Sequence, residues 1–152
     1  ELYETGWMHN RVRMIVASFL VKHLRIHWME GEKHFKNCLV DYNQASNIAQ
    51  WQWVAGCGAD AAPYFRIFNP ILQGEKFDKD GIYTKKWVPE LLDMPNKFLY
   101  KPWELERKYQ EQIKVVIGKD YPEPIVDHAT ARNAALEAFQ KIKKISHPNN
   151  AE

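Results

Sequence analysis

The sequence has few cysteines and no long hydrophobic run. Only Cys38 and Cys57 occur in 152 residues, too few for a disulfide framework and without the paired spacing of a zinc site. The longest apolar stretch, residues 14–21, is interrupted by Ser18 and is too short to cross a bilayer. No leader with a small-residue cleavage site opens the sequence. We therefore expect a reduced, cytoplasmic protein without a membrane partner and without a metal site.

Familiar catalytic signatures are also absent. There is no phosphate-binding glycine loop, no Gly-x-Ser-x-Gly and no His-Glu-x-x-His. His23 and His27 are spaced to face a metal together, but the sequence indicates no third ligand, so surface or capping roles are favoured. No segment alternates as a strand does, and no internal repeat or low-complexity tract occurs. These absences argue against β and repeat architectures.

What is present is an ordinary globular composition with an uneven charge. Hydrophobic residues make up 45% of the chain, charged residues 26%, and six residues are tryptophan. The formal charge is only +2, but basic residues outnumber acidic ones between His9 and Lys36. Local positive charge suits an anionic partner such as nucleic acid, and a merely solvated helix face produces the same pattern.

Apolar periodicity predicts an all-α, multihelical chain in one compact piece. Residues 63–81, 95–102 and 118–124 carry turn signals and are expected to be loops. Because the chain enters a dense helical pattern almost at once and does not start with methionine, we expect it to be part of a longer protein. The expected helices are Trp7–Trp28, Lys33–Leu39, Gln44–Ala55, Trp87–Leu92, Trp103–Ile117 and Asp127–Ile145.

Arg13 has an unusual place on the first expected helix. At 100 degrees per residue, Arg11, Ser18, Lys22 and Arg25 share one polar stripe, and Arg13 falls on the opposite, apolar side. A buried guanidinium requires a carboxylate or another anion. The sequence therefore predicts an acidic partner for Arg13 within the chain.

The segment Ser46–Trp53 sets two tryptophans among small and amide residues. The ordinary explanation is a role in the core, which is where tryptophan usually lies. Trp51 shares a helix face with Asn47, and this pairing suits a planar polar ligand with an aromatic body. Trp53 points roughly 160 degrees away from Trp51 and could form a stacking platform of the kind that base-binding proteins use.

Several blocks of the sequence resemble the photolyase/cryptochrome family, and they come in the family's order and spacing. The resemblance continues through Tyr121–Arg132. It implies that residues 1–152 are the C-terminal part of the multihelical FAD-binding domain, with the N-terminal antenna domain and the upstream helices absent. The blocks are Thr5–Met14, Ala17–Lys22, Trp51–Trp53, Asp60–Pro70 and Gln73–Asp78.

The family resemblance implies a light-driven lyase for cyclobutane pyrimidine dimers in DNA, of the class I type. In that family, excited reduced FAD passes an electron to the dimer, which is flipped out of the duplex, and recovers the electron after the ring opens. A folate or deazaflavin antenna chromophore would belong to the missing domain. Damaged DNA is the implied partner, without an obligate protein partner. Because the covering helices are absent, we expect this chain to bind FAD weakly or not at all and to self-associate.

The resemblance also implies roles for residues near the flavin. Asp41 matches the carboxylate that pairs with Arg13 beside the flavin, and Tyr42 and Asn43 follow in the same cofactor-binding segment. Many family members have a second acidic residue in place of Asn43. Asn47 matches the residue that faces the flavin N5 edge and steadies its protonated state.

Electron-transfer and DNA-binding residues are implied in the same way. Trp51 and Trp28 match two members of the tryptophan chain that photoreduces the flavin. Asn10, Arg11, Met14 and Trp53 match positions that line the dimer pocket, where Trp53 packs against the pyrimidines. The expected contacts with the DNA backbone are Arg66, Gln73 and Lys76.

Two other interpretations remain open at this point. A cryptochrome, which senses light rather than repairs DNA, is the alternative within the family; Asn47 favours repair, because plant-type sensors tend to have aspartate there and insect-type sensors cysteine. Met14 and the Trp-Gln-Trp segment favour cyclobutane dimers over (6-4) photoproducts. A helical nucleic-acid-binding module without a cofactor would explain the basic first helix but not the pairing of Arg13 with Asp41.

Overall fold

The computed structural model describes the backbone of residues 1–146 and the side chains of residues 1–142. Within that part of the chain the regular structure is helical, and the only β pairing is an isolated bridge between Ile117 and Tyr121. The all-α expectation is confirmed. The α-helices are α1 (Leu2–Thr5), α2 (Asn10–Ser18), α3 (Trp28–Cys38), α4 (Gln44–Ala55), α5 (Pro70–Phe77), α6 (Ile82–Trp87), α7 (Arg107–Gln112) and α8 (His128–Ser146).

The first expected helix, Trp7–Trp28, is wrong in its bounds, because one histidine cap sets a later start and a second histidine cap begins a separate helix near its end. The His9 side chain accepts a hydrogen bond from the Arg11 backbone and starts α2. After α2 the chain makes a π-helical turn over Phe19–His23, and Arg25 then takes a left-handed conformation with φ 54°. The His27 side chain accepts from the Met29 backbone and starts α3. The His27 cap thus begins a new helix within a stretch whose apolar periodicity predicts a single helix.

The segment 63–81, expected to be a loop, contains α5. The Asn69 side-chain oxygen accepts from the backbone of Ile71 and Leu72, and Pro70 occupies the first turn, so this helix has a strong start signal. The expected helix Trp103–Ile117 is reduced to α7 and a preceding 3₁₀ turn at Pro102–Glu104.

Helix α4 agrees with its predicted bounds, Gln44–Ala55. The Asn43 side-chain oxygen accepts a hydrogen bond from the Ser46 backbone at 3.0 Å and caps the start. Gly56 ends the helix with φ 78°, a left-handed conformation that glycine adopts without steric cost. Strong local signals at both ends therefore define the helix that carries Asn47 and Trp51.

The expectation of one compact piece is wrong, since the chain forms two compact units. The first comprises residues 1–68 and the described residues from 126 onward, and the second comprises Asn69–Ile125. Apolar side chains from α2, α3 and α4 form the core of the first unit, and Leu91, Met94 and Leu99 are central to the core of the second.

Within the second unit, Asp78 and Tyr100 hold the end of α5. The Tyr100 hydroxyl donates to the Asp78 carboxylate at 2.7 Å, and the Tyr100 ring packs against Gly74. Burial, together with the bond to Asp78, raises the pKa of Tyr100 to about 12. In the part of the chain that the structure describes, no helix is long and apolar enough to span a membrane.

Candidate functional site

A cavity of about 270 Å³ opens in the first unit between α2, α3 and α4. Its walls combine apolar side chains, such as Ala17 and Val54, with a set of polar ones. The polar residues come from the start of α2, from the connection between α3 and α4, and from the first turns of α4. They are Asn10, Arg13, Asp41, Asn43, Asn47 and Gln50.

Arg13 and Asp41 form an ion pair at the edge of this cavity. Arg13 Nη2 donates to both Asp41 carboxylate oxygens, at 2.9 and 3.1 Å, and Arg13 Nε donates to the Met8 carbonyl at 2.6 Å. The acidic partner expected for Arg13 is therefore present. Arg13 is only partly buried, with its side chain 23% exposed and that of Asp41 47% exposed. Its Nη1 group has no partner among the described residues and is free to donate to an acceptor in the cavity.

Tyr42 and Asn43 also line the cavity, but both have structural tasks. The Asn43 oxygen caps α4, so its amide nitrogen is the group left for a ligand. The Tyr42 hydroxyl donates to Glu32 Oε1 at 3.3 Å. Burial, followed by the negative charge of Glu32, raises the pKa of Tyr42.

The Asn47 amide is held by Glu32. Asn47 Nδ2 donates to the Glu32 carbonyl and to Glu32 Oε1, each at 3.1 Å. Sequence reasoning missed Glu32, which depends on how α3 packs against α4. A weak signal was available, since Glu32 is four residues after Trp28 and shares its helix face.

Trp51 and Trp28 lie in the hydrophobic core of the first unit. Trp51 is 3% exposed and meets Phe35 edge to face, with the ring centroids 5.1 Å apart. Trp28 is partly buried and packs against the same cluster. The two tryptophans are thus brought into one apolar environment, which suits both a core role and the expected electron-transfer role.

Only two of the four expected dimer-pocket residues line the cavity. These are Asn10 and Met14, whose side chains meet with Nδ2 and Sδ 3.8 Å apart. Arg11 and Trp53 are half-buried and do not line it. The Trp53 carbonyl accepts from the Ala62 backbone at 3.1 Å and ties the following loop to α4.

The residues expected to contact the DNA backbone are divided between the two units. Arg66 is exposed in the loop of the first unit that follows α4. Gln73 and Lys76 lie on α5 in the second unit, and Lys76 is exposed.

Lys22 is a buried cation that the sequence did not indicate. It is 1% exposed, its Nζ donates to the Tyr64 carbonyl at 3.1 Å, and Nζ lies 3.3 Å from the Tyr64 ring centroid. Burial lowers the pKa of Lys22 to about 8. Tyr64 in turn stacks on Phe139 of α8 at 4.2 Å. Lys22 thus fixes the loop that carries Arg66 against the helical core.

His23 and His128 form a second polar contact within the first unit. His23 Nε2 and His128 Nδ1 are 2.8 Å apart, and His23 Nδ1 is buried without a partner. Burial, followed by the charge of His128, lowers the pKa of His23. Burial, followed by the charge of Arg132, lowers the pKa of His128, and Asp127 opposes this effect. No group of three or more metal-ligating side chains occurs among the described residues.

Comparison with known proteins gives consistent matches. The family described as the FAD binding domain of DNA photolyase matches residues 1–141. A deoxyribodipyrimidine photo-lyase from Agrobacterium fabrum is 58% identical over 95% of this chain and 30% of its own length. The enzyme of that name from Escherichia coli is 51% identical over 95% of this chain and 29% of its own length. The chain thus spans about a third or less of these relatives.

Solved structures agree with the sequence matches. A bacterial class III photolyase from Agrobacterium tumefaciens superposes with a TM-score of 0.90 and 59% identity, over 94% of this chain and 30% of that one. A cryptochrome from Synechocystis superposes with a TM-score of 0.82 and 41% identity, over 88% of this chain and 27% of that one.

Proposed function

This chain belongs to the family of FAD-binding domains of DNA photolyases, and from that membership we propose that it serves light-driven repair of cyclobutane pyrimidine dimers. Residues 1–152 would form the C-terminal part of the FAD-binding domain in a longer enzyme. The names of relatives that are 58% and 51% identical support this activity. The observation that carries the proposal is the cavity with the Arg13–Asp41 ion pair and the Asn47 amide on its walls.

The cavity suits part of FAD in both size and chemistry. Its volume of about 270 Å³ is at or below the lower end of the range, ~300–1,000 Å³, that encloses a whole drug-sized ligand. The apolar walls suit an aromatic ring system, and Arg13 Nη1, the Asn43 amide nitrogen and Asn47 Oδ1 suit its polar edge. Asp41 would hold Arg13 in place, and Tyr42 would close the wall beside it. FAD, when bound, supplies photochemical one-electron transfer.

Trp51 and Trp28 have a proposed part in reducing the cofactor. Trp51 is on the helix that carries Asn47, one turn further along, and lies on the cavity wall. Trp28 packs in the same apolar cluster. An indole held in a dry, rigid environment loses and regains an electron with little reorganisation of its surroundings, so these two residues would pass electrons toward the cavity.

DNA recognition is proposed for the polar residues at the mouth of the cavity and beyond it. Asn10 and Met14 would meet the flipped dimer, with Arg11 and Trp53 beside them. Phosphate contacts require exposed cations and amides, which position the duplex without reading its sequence. Those proposed here are Arg66, Gln73 and Lys76.

The finer details of the family assignment remain predictions. The class I subtype is one of them, and the solved photolyase that superposes well is described as class III. The antenna chromophore of folate or deazaflavin type is another. The structural likeness to a cryptochrome keeps a light sensor as the second candidate. Asn47 is the residue that favours repair over sensing.

Self-association of the isolated chain is proposed from its exposed apolar side chains. Tyr3 is 82% exposed and Val40 78% exposed in the first unit, and Ile82 is 74% exposed in the second. Exposed apolar surface of this kind marks sites that other protein normally covers. No obligate protein partner of the longer enzyme is proposed.

The proposal is tested by light-dependent repair in a full-length protein that contains this segment. The reduced protein is mixed with DNA that carries cyclobutane dimers, and dimer loss is compared between blue light and darkness. We expect flavin absorption bands in the purified protein and dimer loss only in the light. Flavin bands without light-dependent repair would favour the sensor, whereas a protein that takes up no flavin would overturn the proposal. The isolated chain, after incubation with FAD and desalting, should retain little colour.

A further inference from the structure

Two buried polar side chains hold the loop that follows α4 against the helical core of the first unit. Ser18 Oγ, at the end of α2, accepts a hydrogen bond from the Phe68 backbone at 3.2 Å. Lys22 Nζ, in the π-helical turn that comes next, donates to the Tyr64 carbonyl at 3.1 Å. Ser18 and Lys22 are each 1% exposed. The second half of the loop is therefore fixed at two points by side chains that solvent does not reach.

Lys22 contacts the loop at the corner of a tight turn. The Arg66 backbone donates to the Pro63 carbonyl at 2.9 Å and closes a four-residue turn, in which Tyr64 is the second residue. Lys22 Nζ bonds the Tyr64 carbonyl and also lies 3.3 Å from the centroid of the Tyr64 ring. The Arg66 side chain is exposed. The direction in which Arg66 leaves the loop thus depends on a contact made two residues before it.

Keeping a charge on Lys22 costs stability. No carboxylate forms an ion pair with Lys22 in the part of the chain that the structure describes. Burial lowers the pKa of Lys22 to about 8, and the opposing effect of Cys57 is smaller. The ordinary lysine pKa is about 10.4, so the fold disfavours the charged amine at neutral pH. A methionine would fill the same space without this cost, which indicates that the amine has a task other than packing.

We propose that Lys22 is a positioning residue for DNA binding, which fixes the turn at residues 63–66 so that the Arg66 guanidinium is held ready for a phosphate. The inference rests on the proposed function, in which Arg66 contacts the DNA backbone. Lys22 cannot make that contact itself, because its side chain is buried. A loop that is already ordered loses less conformational entropy on binding than a mobile one. Lys22 therefore raises the affinity for DNA through Arg66.

The first test measures the loop without DNA. Trypsin cuts after arginine, and it cuts a folded protein where the chain opens locally. In the full-length protein with its flavin bound, cleavage after Arg66 should be several-fold faster in Lys22→Met than in the wild type. Tyr64→Phe keeps the ring and the carbonyl that Lys22 contacts, so it is the matched control and should be cut at the wild-type rate. Equal cleavage in Lys22→Met and the wild type would overturn the proposed positioning.

The second test counts phosphate contacts. Binding of the full-length protein to a duplex with a cyclobutane dimer is measured in the dark at several salt concentrations, since each phosphate contact adds about 0.9 to the slope of log affinity against log salt. Arg66→Ala and Lys22→Met should each lower that slope by about one and the affinity by roughly three- to tenfold. The double variant should match Arg66→Ala alone, because the group that Lys22 positions is gone.

A conservative exchange separates the cation from its shape. Lys22→Arg keeps a charged donor that stacks on aromatic rings, so its salt slope and its cleavage rate should stay close to those of the wild type. Lys22→Met should keep its flavin and its photoreduction, since Lys22 does not line the cavity. If Lys22→Met loses its flavin, Tyr64→Ala replaces it in both tests, because this change removes the ring beneath Nζ and leaves α2 unaltered.

The outcomes separate this inference from the proposed function. An unchanged salt slope in the variant that retains flavin overturns the positioning role even if repair is normal. A wild-type slope in Arg66→Ala removes Arg66 from the proposed DNA contacts and overturns the DNA half of this inference. The rate of cleavage after Arg66 still decides whether Lys22 holds the turn.

Discussion

The ring of Trp51 lies directly on the backbone of Gly31. A Cβ atom added at position 31 would overlap three carbons of the six-membered ring. Gly31 is buried in the first turn of α3, and Trp51 is on α4. The absence of a side chain at one position therefore sets how closely these two helices approach and where the indole lies.

Replacing Gly31 by alanine should destabilise the fold although alanine is the better helix former. The gain in helix propensity is about 1 kcal/mol, and forcing a methyl group into a packed site costs about 1–3 kcal/mol. We expect a net loss of stability in urea unfolding and a shifted Trp fluorescence maximum. Asn37→Ala, exposed on the same helix, should change little. A Gly31→Ala variant more stable than the wild type would show that the indole moves aside without cost.

Removing the Arg13 side chain should weaken FAD binding. Arg13→Ala loses the free Nη1 donors and leaves Asp41 without its cation, so a negative charge faces the cavity instead of an ion pair. A hydrogen bond to a charged group contributes about 1.5–3 kcal/mol, which corresponds to a loss of roughly tenfold or more in affinity for FAD. Titration of the full-length apoprotein, followed by flavin fluorescence, measures this. Lys36→Ala is the control, and equal affinity in both variants would contradict the assigned role.

Trp28→Phe should separate photoreduction from repair in the full-length protein. A phenyl ring fills most of the space of the indole but is much harder to oxidise, so light should no longer reduce the bound flavin. Protein that has been reduced chemically beforehand should still repair dimers. Trp103→Phe, in the second unit, is the control. Loss of repair together with photoreduction would mean that Trp28 does more than relay electrons.

Trp53→Ala should have the opposite effect. The variant should photoreduce its flavin normally and lose most dimer repair, because base stacking on an aromatic side chain contributes about 1–3 kcal/mol per base. Dimer-DNA affinity and repair yield are measured against Trp87→Ala. Unchanged repair would remove Trp53 from the proposed substrate contacts.

Acidification should destabilise the first unit through His23 and His128. Burial lowers the pKa of both side chains in the folded state, so below about pH 6.5, the ordinary histidine value, the unfolded chain binds more protons. Stability is then complete above that pH and falls as the pH drops through the lowered values. Urea unfolding at about pH 7.5 and about pH 5 should reveal the decline. His128→Gln should show a shallower decline, and an identical slope would exclude the pair as its source.

The sequence predicted α4 well and the first helix poorly, for a physical reason. Helix α4 begins and ends on residues with strong local preferences, an asparagine cap and a glycine with positive φ. Helix α2 ends in a π turn that no local residue announces. The polar stripe was misinterpreted as well, since Ser18 and Lys22 are each 1% exposed. Their bonds to Phe68 and Tyr64 come from residues more than forty positions away.

The site could be predicted in the same uneven manner. The need of Arg13 for a carboxylate followed from charge and helix geometry, and Asp41 meets it. The contact between Asn47 and Glu32 depends on how α3 and α4 pack, which is set by Gly31 and Trp51 rather than by any local pattern. The apolar periodicity of the sequence does not predict tertiary contacts of this kind.

Asn43 both lines the cavity and caps the start of α4, but only its effect on the cavity depends on whether the side chain carries a charge. Asparagine and aspartate cap helices about equally well, and a negative charge at a helix start is favourable. Exchanging one for the other at this position would alter the potential felt by a bound ligand while the fold stays the same. A single substitution at residue 43 can therefore change the electrostatic potential at a bound ligand without destabilising α4, so no compensating substitution is needed.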